Sequence, residues 1–188
     1  FDAILVGVNT VITDNPALTC RLPEGGRDPI RIVLDSQART PLDSVVLTQE
    51  SDAPTYVVVT DKAPLERIKL LSEGKAKVLR INSDKNGRIG LNELLTNLGQ
   101  MEITSLLVEG GATVAAAFLE EQLVDKVLTF IAPKIAGGAD APSPVAGHGV
   151  ETMDRAISLN RTKSGKIGGD FFIEGYPEYR ESGVAGEE

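Results

Sequence analysis

The stretch that decides the fold is Ser105-Leu-Leu-Val-Glu-Gly-Gly-Ala-Thr-Val-Ala-Ala-Ala-Phe-Leu119. Its first four residues are predicted to end a buried strand, with Glu109 at the strand's carboxyl end. Gly110 and Gly111 turn the backbone, and a helix of small residues is predicted from about Thr113. Such a turn aims unpaired backbone N–H groups outward, where a phosphate can accept them. The stretch therefore predicts a nucleotide-phosphate site beside a carboxylate, although a glycine pair after a strand is also compatible with a plain βα turn.

Strands and helices are predicted to alternate on both sides of this stretch. Apolar runs indicate strands at Ala3 to Val6, Ile30 to Leu34, Thr55 to Thr60, Lys77 to Ile81 and Lys126 to Ala132. Helices are expected at 8–13, 64–73, 91–98 (with Gly99 just beyond as the stop signal) and from about 113 to 122. An antiparallel hairpin is expected from 156–160 and 170–174, joined by 162–169. This order predicts an α/β fold with a mostly parallel sheet and an antiparallel edge.

Composition excludes several classes of protein. The 188 residues suit one domain, expected at 1–177, with a flexible tail at 178–188. A net charge of -8 argues against a general nucleic-acid binder. Cys20 and His148 are the only residues of their types, so no metal site is expected and a zinc deaminase is excluded. No apolar run has the length of a membrane span, and a cytoplasmic location is the default expectation.

Polar residues and glycines are expected to gather at one edge of the sheet. In open α/β sheets, ligands bind beyond the carboxyl ends of the strands. The residues predicted at those ends are Gly7, Asp35, Ser36, Thr60, Asp61, Glu109, Gly110 and Gly111, with Thr10, Asp14 and Arg21 shortly after the first strand. Each is also common in ordinary turns. Arg39 and Lys62 are candidates to read a 2′-phosphate, and Lys62 is better interpreted as a solvated turn residue.

Four motifs together carry a family resemblance. They are Gly7-Val-Asn-Thr-Val-Ile-Thr-Asp-Asn-Pro-Ala-Leu-Thr-Cys-Arg21, Pro29-Ile-Arg-Ile-Val-Leu-Asp-Ser36, Val108-Glu-Gly-Gly-Ala-Thr113 and Ala132-Pro-Lys134 with the Gly-Gly loop that follows. The combination strongly resembles the reductase domain of riboflavin biosynthesis, over nearly the whole chain. The resemblance implies a dihydrofolate-reductase-like fold: a mostly parallel central sheet, flanking helices and a C-terminal antiparallel hairpin. It also implies reduction of 5-amino-6-(5-phosphoribosylamino)uracil by NADPH, commonly in a homodimer.

The resemblance assigns roles to particular residues. The family's cofactor contacts correspond to Thr10, Asp14, Ser36 and the helix start at Gly111, Ala112, Thr113 and Val114, continuing to Ala117. The family's substrate contacts correspond to Leu18 (or Ala17), Arg21 and Glu109. Asp14 is the candidate to relay the proton that accompanies hydride transfer. Arg21 suits the ribose phosphate, because a guanidinium matches phosphate geometry in a fork.

Two alternatives stay open at this point. One is a reductase of the diamino-pyrimidinone ribosyl phosphate, whose cofactor motifs would look the same, and the other is a non-catalytic nucleotide-binding domain. NADPH is likewise not distinguished from NADH. The chain starts at Phe1 without Met, so it is expected to be part of a longer protein, in which the family's earlier strand and an N-terminal zinc deaminase domain can precede it.

Overall fold

Apolar runs rich in valine and isoleucine form a parallel sheet in the first part of the chain. The computed structural model describes residues 1–138, 141 and 143–179. The strands of this sheet follow the order β4-β3-β2-β1-β5, all neighbours parallel. They are β1 (Ala3–Gly7), β2 (Ile30–Leu34), β3 (Thr55–Val59), β4 (Ala76–Arg80) and β5 (Leu106–Val108). The helices between them are α1 (Val8–Asp14), α2 (Val45–Thr48), α3 (Leu65–Glu73) and α4 (Leu91–Gln100), and α5 (Ala112–Glu120) follows β5.

The chain divides into two compact units, one spanning Phe1–Ala115 and the other beginning at Ala116. The first unit holds the parallel sheet, whose central strands are buried on both faces. One face packs into a cluster that includes Val6, Val33, Val57 and Leu71. Burial of such runs on both faces is the pattern of a parallel sheet covered by helices, and it fixes the shared edge at which these strands end.

The second unit contains an antiparallel sheet in the order β6-β8-β7. Its strands are β6 (Val127–Ile131), β7 (Ser158–Ile167) and β8 (Asp170–Glu178), and a 3-10 turn at Met153–Arg155 precedes β7. Gly168 turns the β7–β8 hairpin at a φ of 60°. The predicted α/β class and the C-terminal hairpin are therefore confirmed. Residues 180–188 of the predicted tail lie outside the described residues, whereas Glu178 belongs to β8.

Four details of the prediction are wrong. The α4 helix passes through Gly99, its predicted stop, and ends at Gln100. The hairpin strands extend through most of the predicted connection, because Lys163 and its neighbours pair with β8. The β5 strand lies at the sheet edge, so Leu107 is 37% exposed rather than buried. The α2 helix was not predicted, since one turn is too short to show a helical period.

Asp2 ties the start of β1 to the segment before β5. Its Oδ2 accepts hydrogen bonds from the backbone N–H and hydroxyl groups of Thr104 and Ser105, at 2.8 to 3.0 Å. These bonds, with the Thr104 hydroxyl foremost, lower the pKa of Asp2 from 3.8 to about 2. Hydrogen bonds to the charged form favour that form. The carboxylate therefore stabilises the fold while it is ionised.

This pKa shift predicts a pH-dependent loss of stability. Because the folded pKa lies below the unfolded value, the stabilisation is present above pH 3.8 and is lost as pH falls towards about 2. We expect Asp2→Asn to lower the urea midpoint at neutral pH, and the difference from wild type to shrink between pH 5 and pH 2. Urea titrations across that range check it. Asp43→Asn, at an exposed turn position, is the matched control, and a pH-independent difference for Asp2→Asn would contradict the account.

Candidate active site

A groove with a volume of about 370 Å³ lies at the carboxyl edge of the parallel sheet. Three segments line it: the end of β1 with the start of α1, the loop after β2, and the turn that begins α5. The lining residues are Gly7, Val8, Asn9, Thr10, Leu34, Ser36, Gln37, Arg39, Gly111, Thr113 and Val114. Since β1 is paired with both β2 and β5, the topology brings these three strand ends together.

The glycine turn after β5 is closely fitted to Thr10. Gly110 and Gly111 take φ values of 68° and 87°, which side chains rarely adopt. A Cβ on Gly110 would stand 3.2 Å from Thr10 Cγ2, and one on Gly7 would stand 3.0 Å from Val114 Cγ2. The N–H groups of Val114 and Ala115 donate to the Gly111 carbonyl at 3.0 and 3.1 Å. The two N–H groups before them, at Ala112 and Thr113, are the ones that the helix itself leaves without a partner. The turn therefore presents bare backbone to the groove, which is the arrangement that a phosphate group fits.

Hydrogen bonds with the side chains of Asp35, Arg67 and Thr60 fix the backbone of the loop after β2. Asp35 is fully buried, and its Oδ2 accepts bonds from the backbone N–H of Thr40 at 2.6 Å and from its hydroxyl at 2.7 Å. Arg67 on α3 donates to the carbonyls of Ala38 and Thr40 at 2.9 and 2.8 Å. Thr60 Oγ1 donates to the Ser36 carbonyl at 2.9 Å. The backbone is thus fixed, while the side chains of Ser36, Gln37 and Arg39 reach the groove.

Arg39 is the one charged side chain among the described residues that line the groove. Its Nη2 donates to Asn9 Oδ1 at 3.0 Å, in an exposed position. This bond links the loop after β2 to the start of α1. The guanidinium is therefore oriented along the groove wall while remaining accessible to an anion. Lys62, the other candidate cation, does not line the groove.

The structure brings together most of the predicted cofactor residues. Thr10, Ser36, Gly111, Thr113 and Val114 all line the groove. Ala112 begins α5 without lining it, and Asp14 lies exposed at the end of α1. Asp35 and Thr60, expected among the ligand-facing residues at the strand ends, are fully buried and support the loop instead.

The predicted substrate residues differ in exposure. Arg21 and Glu109 are exposed, and the Glu109 N–H donates to the Leu5 carbonyl at 2.9 Å, which fixes the carboxylate's backbone at the end of β5. The side chain of Leu18 is 8% exposed and packs in the core, with a φ of 52°. A ligand would therefore meet this position through its backbone. The substrate roles of all three remain predictions.

Sequence reasoning missed Asn9 and Gln37 as groove residues. Each is adjacent in sequence to a predicted contact, Thr10 or Ser36, and each follows a strand that ends at this edge. Position alone was the available signal. No sequence signal indicated the supporting hydrogen bonds of Thr40 and Arg67. Their partners are a buried carboxylate and backbone carbonyl groups that only the fold brings near.

A parallel sheet with a glycine turn, a helix start and an arginine at its carboxyl edge defines an open α/β domain, and the groove at that edge is where such sheets bind their ligands. Residues 1–173 match the family model described as the RibD C-terminal domain. The chain belongs to this family. The resemblance drawn from the sequence motifs is thus confirmed.

Two curated relatives and one solved structure illustrate the similarity. The chain is 38% identical to the riboflavin biosynthesis protein RibD of Actinobacillus pleuropneumoniae, over 93% of this chain and 46% of that protein. It is 41% identical to a 2,5-diamino-6-ribosylamino-4(3H)-pyrimidinone 5′-phosphate reductase of Methanothermobacter thermautotrophicus, over 92% and 78%. A structure of Acinetobacter baumannii RibD superposes with a TM-score of 0.75 at 25% identity, over 94% and 47%. The chain therefore spans about half the length of the RibD proteins.

Proposed function

We propose that the chain catalyses NADPH-dependent reduction of 5-amino-6-(5-phosphoribosylamino)uracil to the ribitylamino product, a step of riboflavin biosynthesis. The observation that carries this proposal is the groove, whose lining brings together Thr10, Ser36 and Gly111 from three separate segments. These are positions that the family resemblance assigns to the cofactor. The reductase name of the Methanothermobacter relative supports the same chemistry.

The groove fits a nicotinamide cofactor at its phosphates. Gly110 and Gly111 carry no Cβ, so a phosphate could approach their backbone closely; a Cβ on Gly110 would stand only 3.2 Å from Thr10 Cγ2. Ala112 and Thr113 would hold the phosphates through the backbone at the start of α5, and Val114 would contact the cofactor from the groove wall. Thr10 and Ser36 would add hydroxyl groups. When bound, the cofactor supplies a hydride. The remaining tasks of the protein are to orient the substrate, exclude water and deliver a proton.

The substrate would bind on the side of Asp14, Leu18, Arg21 and Glu109. Arg21 would hold the ribose phosphate with its guanidinium fork. Glu109, fixed by its bond to Leu5, would accept hydrogen bonds from the uracil or the ribose hydroxyls. Opening the ribose requires hydride at C1′ and a proton on the ring oxygen or nitrogen. Asp14 would relay that proton, because it immediately precedes the segment that carries Arg21 and remains exposed.

Arg39 supports NADPH over NADH. The 2′-phosphate is the group that distinguishes the two, and a guanidinium on the groove wall can bind it with charge-assisted bonds. We expect Arg39→Ala to raise the KM for NADPH about tenfold or more, with little change for NADH. Steady-state kinetics with both cofactors measure the ratio of the KM for NADPH to the KM for NADH in each variant.

Lys62→Ala is the matched control for Arg39→Ala, because it removes an equal charge from a position outside the groove. A KM for NADPH that is unaffected by Arg39→Ala, or that rises equally in both variants, would contradict the assignment of the 2′-phosphate to Arg39.

The proposed reaction is tested by following NADPH oxidation in the presence of each pyrimidine. We expect rapid oxidation with the deaminated uracil substrate. Preferential oxidation with the diamino-pyrimidinone would make the chain a reductase of the kind named for the Methanothermobacter relative. NADPH binding without oxidation in either case would favour a non-catalytic nucleotide-binding domain and overturn the proposal.

We further propose that the reductase works in the cytoplasm as a homodimer and, in a longer protein, beside an N-terminal deaminase domain. Several apolar side chains of the antiparallel sheet are exposed, which supports self-association: Leu128, Phe130, Ile131, Phe171 and Ile173. Sedimentation velocity tests the dimer. Among the described helices, none combines the length and the apolar character needed to cross a bilayer.

A further inference from the structure

The proposed substrate residues Leu18 and Arg21 lie on an irregular segment, residues 15–21, which follows α1 and contains no helix or strand. Asp14 is the last residue of α1 and immediately precedes this segment. A ligand site on irregular backbone needs support from residues that do not touch the ligand. The hydrogen bonds of the first unit supply that support at three points along the segment.

The first support is at Asn15. This residue takes a left-handed φ of 43°, and its backbone N–H donates to the Val11 carbonyl at 3.1 Å. Its side-chain Oδ1 accepts the N–H of Val45 at 2.8 Å. Val45 is the first residue of α2, so the segment caps the start of this one-turn helix.

The second support is at the other end of α2. Gln49, the half-buried residue that follows the helix, donates from Nε2 to the Ala17 carbonyl at 2.6 Å. The helix is itself anchored, because Val46 and Leu47 are buried in the core. The Val46 carbonyl also accepts a bond from the Thr55 hydroxyl at 2.7 Å. Both ends of α2 therefore hold the segment to a fixed part of the first unit.

The third support is next to Arg21. The N–H of Cys20 donates to Asp28 Oδ1 at 2.9 Å. The other carboxylate oxygen of Asp28 accepts the Ser51 hydroxyl at 2.7 Å, and Arg31 donates to the same hydroxyl oxygen at 3.2 Å. The segment is thus fixed on both sides of Leu18.

We propose that Gln49 is a positioning residue for substrate binding, acting through the Ala17 carbonyl to fix the backbone between Asp14 and Arg21. This inference rests on the proposed function, since it takes residues 14–21 as the substrate side. Gln49 does not line the cofactor groove. Its loss therefore weakens pyrimidine binding selectively, leaving the cofactor site intact.

Two substitutions of Gln49 separate the effect of its hydrogen bond from the effect of its size. Gln49→Glu keeps the shape of the side chain but cannot donate to a carbonyl, whereas Gln49→Lys restores a donor. Gln100→Glu makes the same chemical change at the exposed end of α4 and is the matched control. Isothermal titration with the ribitylamino product and with NADP⁺ measures each site separately, beside KM and kcat.

We expect Gln49→Glu to raise the Kd of the product and the KM of the pyrimidine about tenfold, with the Kd of NADP⁺ unchanged. Gln49→Lys is expected to recover most of the loss, and Gln100→Glu to match wild type. Equal weakening of both ligands, no weakening of the product, or no recovery with lysine would overturn the proposal.

Amide hydrogen exchange keeps the inference testable if the proposed function fails. In the absence of ligand, Gln49→Glu is expected to speed exchange at Leu18 and Cys20 relative to both wild type and Gln100→Glu. Unchanged exchange at these amides would overturn the positioning role. If the wild-type chain does not bind the product but exchange is faster in Gln49→Glu, the proposed substrate is wrong and the positioning role of Gln49 stands.

Discussion

The Asp14→Asn variant is expected to lose about a hundredfold in kcat, while its KM for NADPH stays within about twofold of wild type. The amide keeps the size of the carboxylate and one acceptor oxygen, but it cannot carry the proton that ring opening requires. Asp14 is suited to this task because it ends α1, immediately before the segment that Asn15 anchors. Steady-state and single-turnover kinetics measure the two parameters.

Asp61→Asn is the control for Asp14→Asn, since it neutralises an exposed carboxylate that follows β3 and lies outside the groove lining. An unchanged kcat in Asp14→Asn would remove Asp14 from proton transfer. A loss confined to NADPH affinity would make it a cofactor contact alone.

The Arg21→Ala variant is expected to raise the KM of the pyrimidine about a hundredfold, with a modest effect on NADPH. A guanidinium bound to phosphate makes charge-assisted bonds, and their loss leaves the phosphate without its counter-charge. The KM of the pyrimidine in Arg21→Lys should lie between those of wild type and Arg21→Ala, because lysine keeps the positive charge but lacks the two-pronged guanidinium geometry. Kinetics with varied pyrimidine at saturating NADPH check the order.

Arg27→Ala, which removes a highly exposed arginine from the same connection, is the control for Arg21→Ala. The reverse pattern, a large effect on NADPH and a small one on the pyrimidine, would mean that Arg21 reads the 2′-phosphate of the cofactor. Arg39 would then need another role.

The strand ends of the parallel sheet could be predicted because long apolar runs mark buried strands with little ambiguity. Ile30–Leu34 and Thr55–Val59 form where the sequence places them. The alternation of strands and helices along most of the chain predicts a mostly parallel sheet, so the position of the groove edge was predictable as well. That Ser36 and Gly111 line one groove is a consequence of this topology.

The direction of each polar side chain at that edge was not predictable. Asp35 and Ser36 are neighbours at the end of β2, yet Asp35 turns inward to hold Thr40 and Ser36 lines the groove. Successive residues at a strand end point to opposite sides, and only the strand's register decides which side faces the ligand.

Elements that are stabilised by tertiary contacts were also not predictable from the sequence. The four residues of α2 are too few to show a period, and the helix is held by Asn15, Gln49 and the burial of Val46. Residues 162–167 are largely polar, and they form the end of β7 through pairing with β8. In both cases packing outweighs local propensity.

The most direct test of the central claim uses NADPH deuterated at the transferring position of its nicotinamide ring. The chain would be incubated with 5-amino-6-(5-phosphoribosylamino)uracil and the product analysed by mass spectrometry and NMR. The account predicts one deuterium at C1′ of the ribityl chain, formed in step with NADPH oxidation. NADPH bound by the protein, with no deuterium in the pyrimidine and no substrate-dependent oxidation, would contradict it.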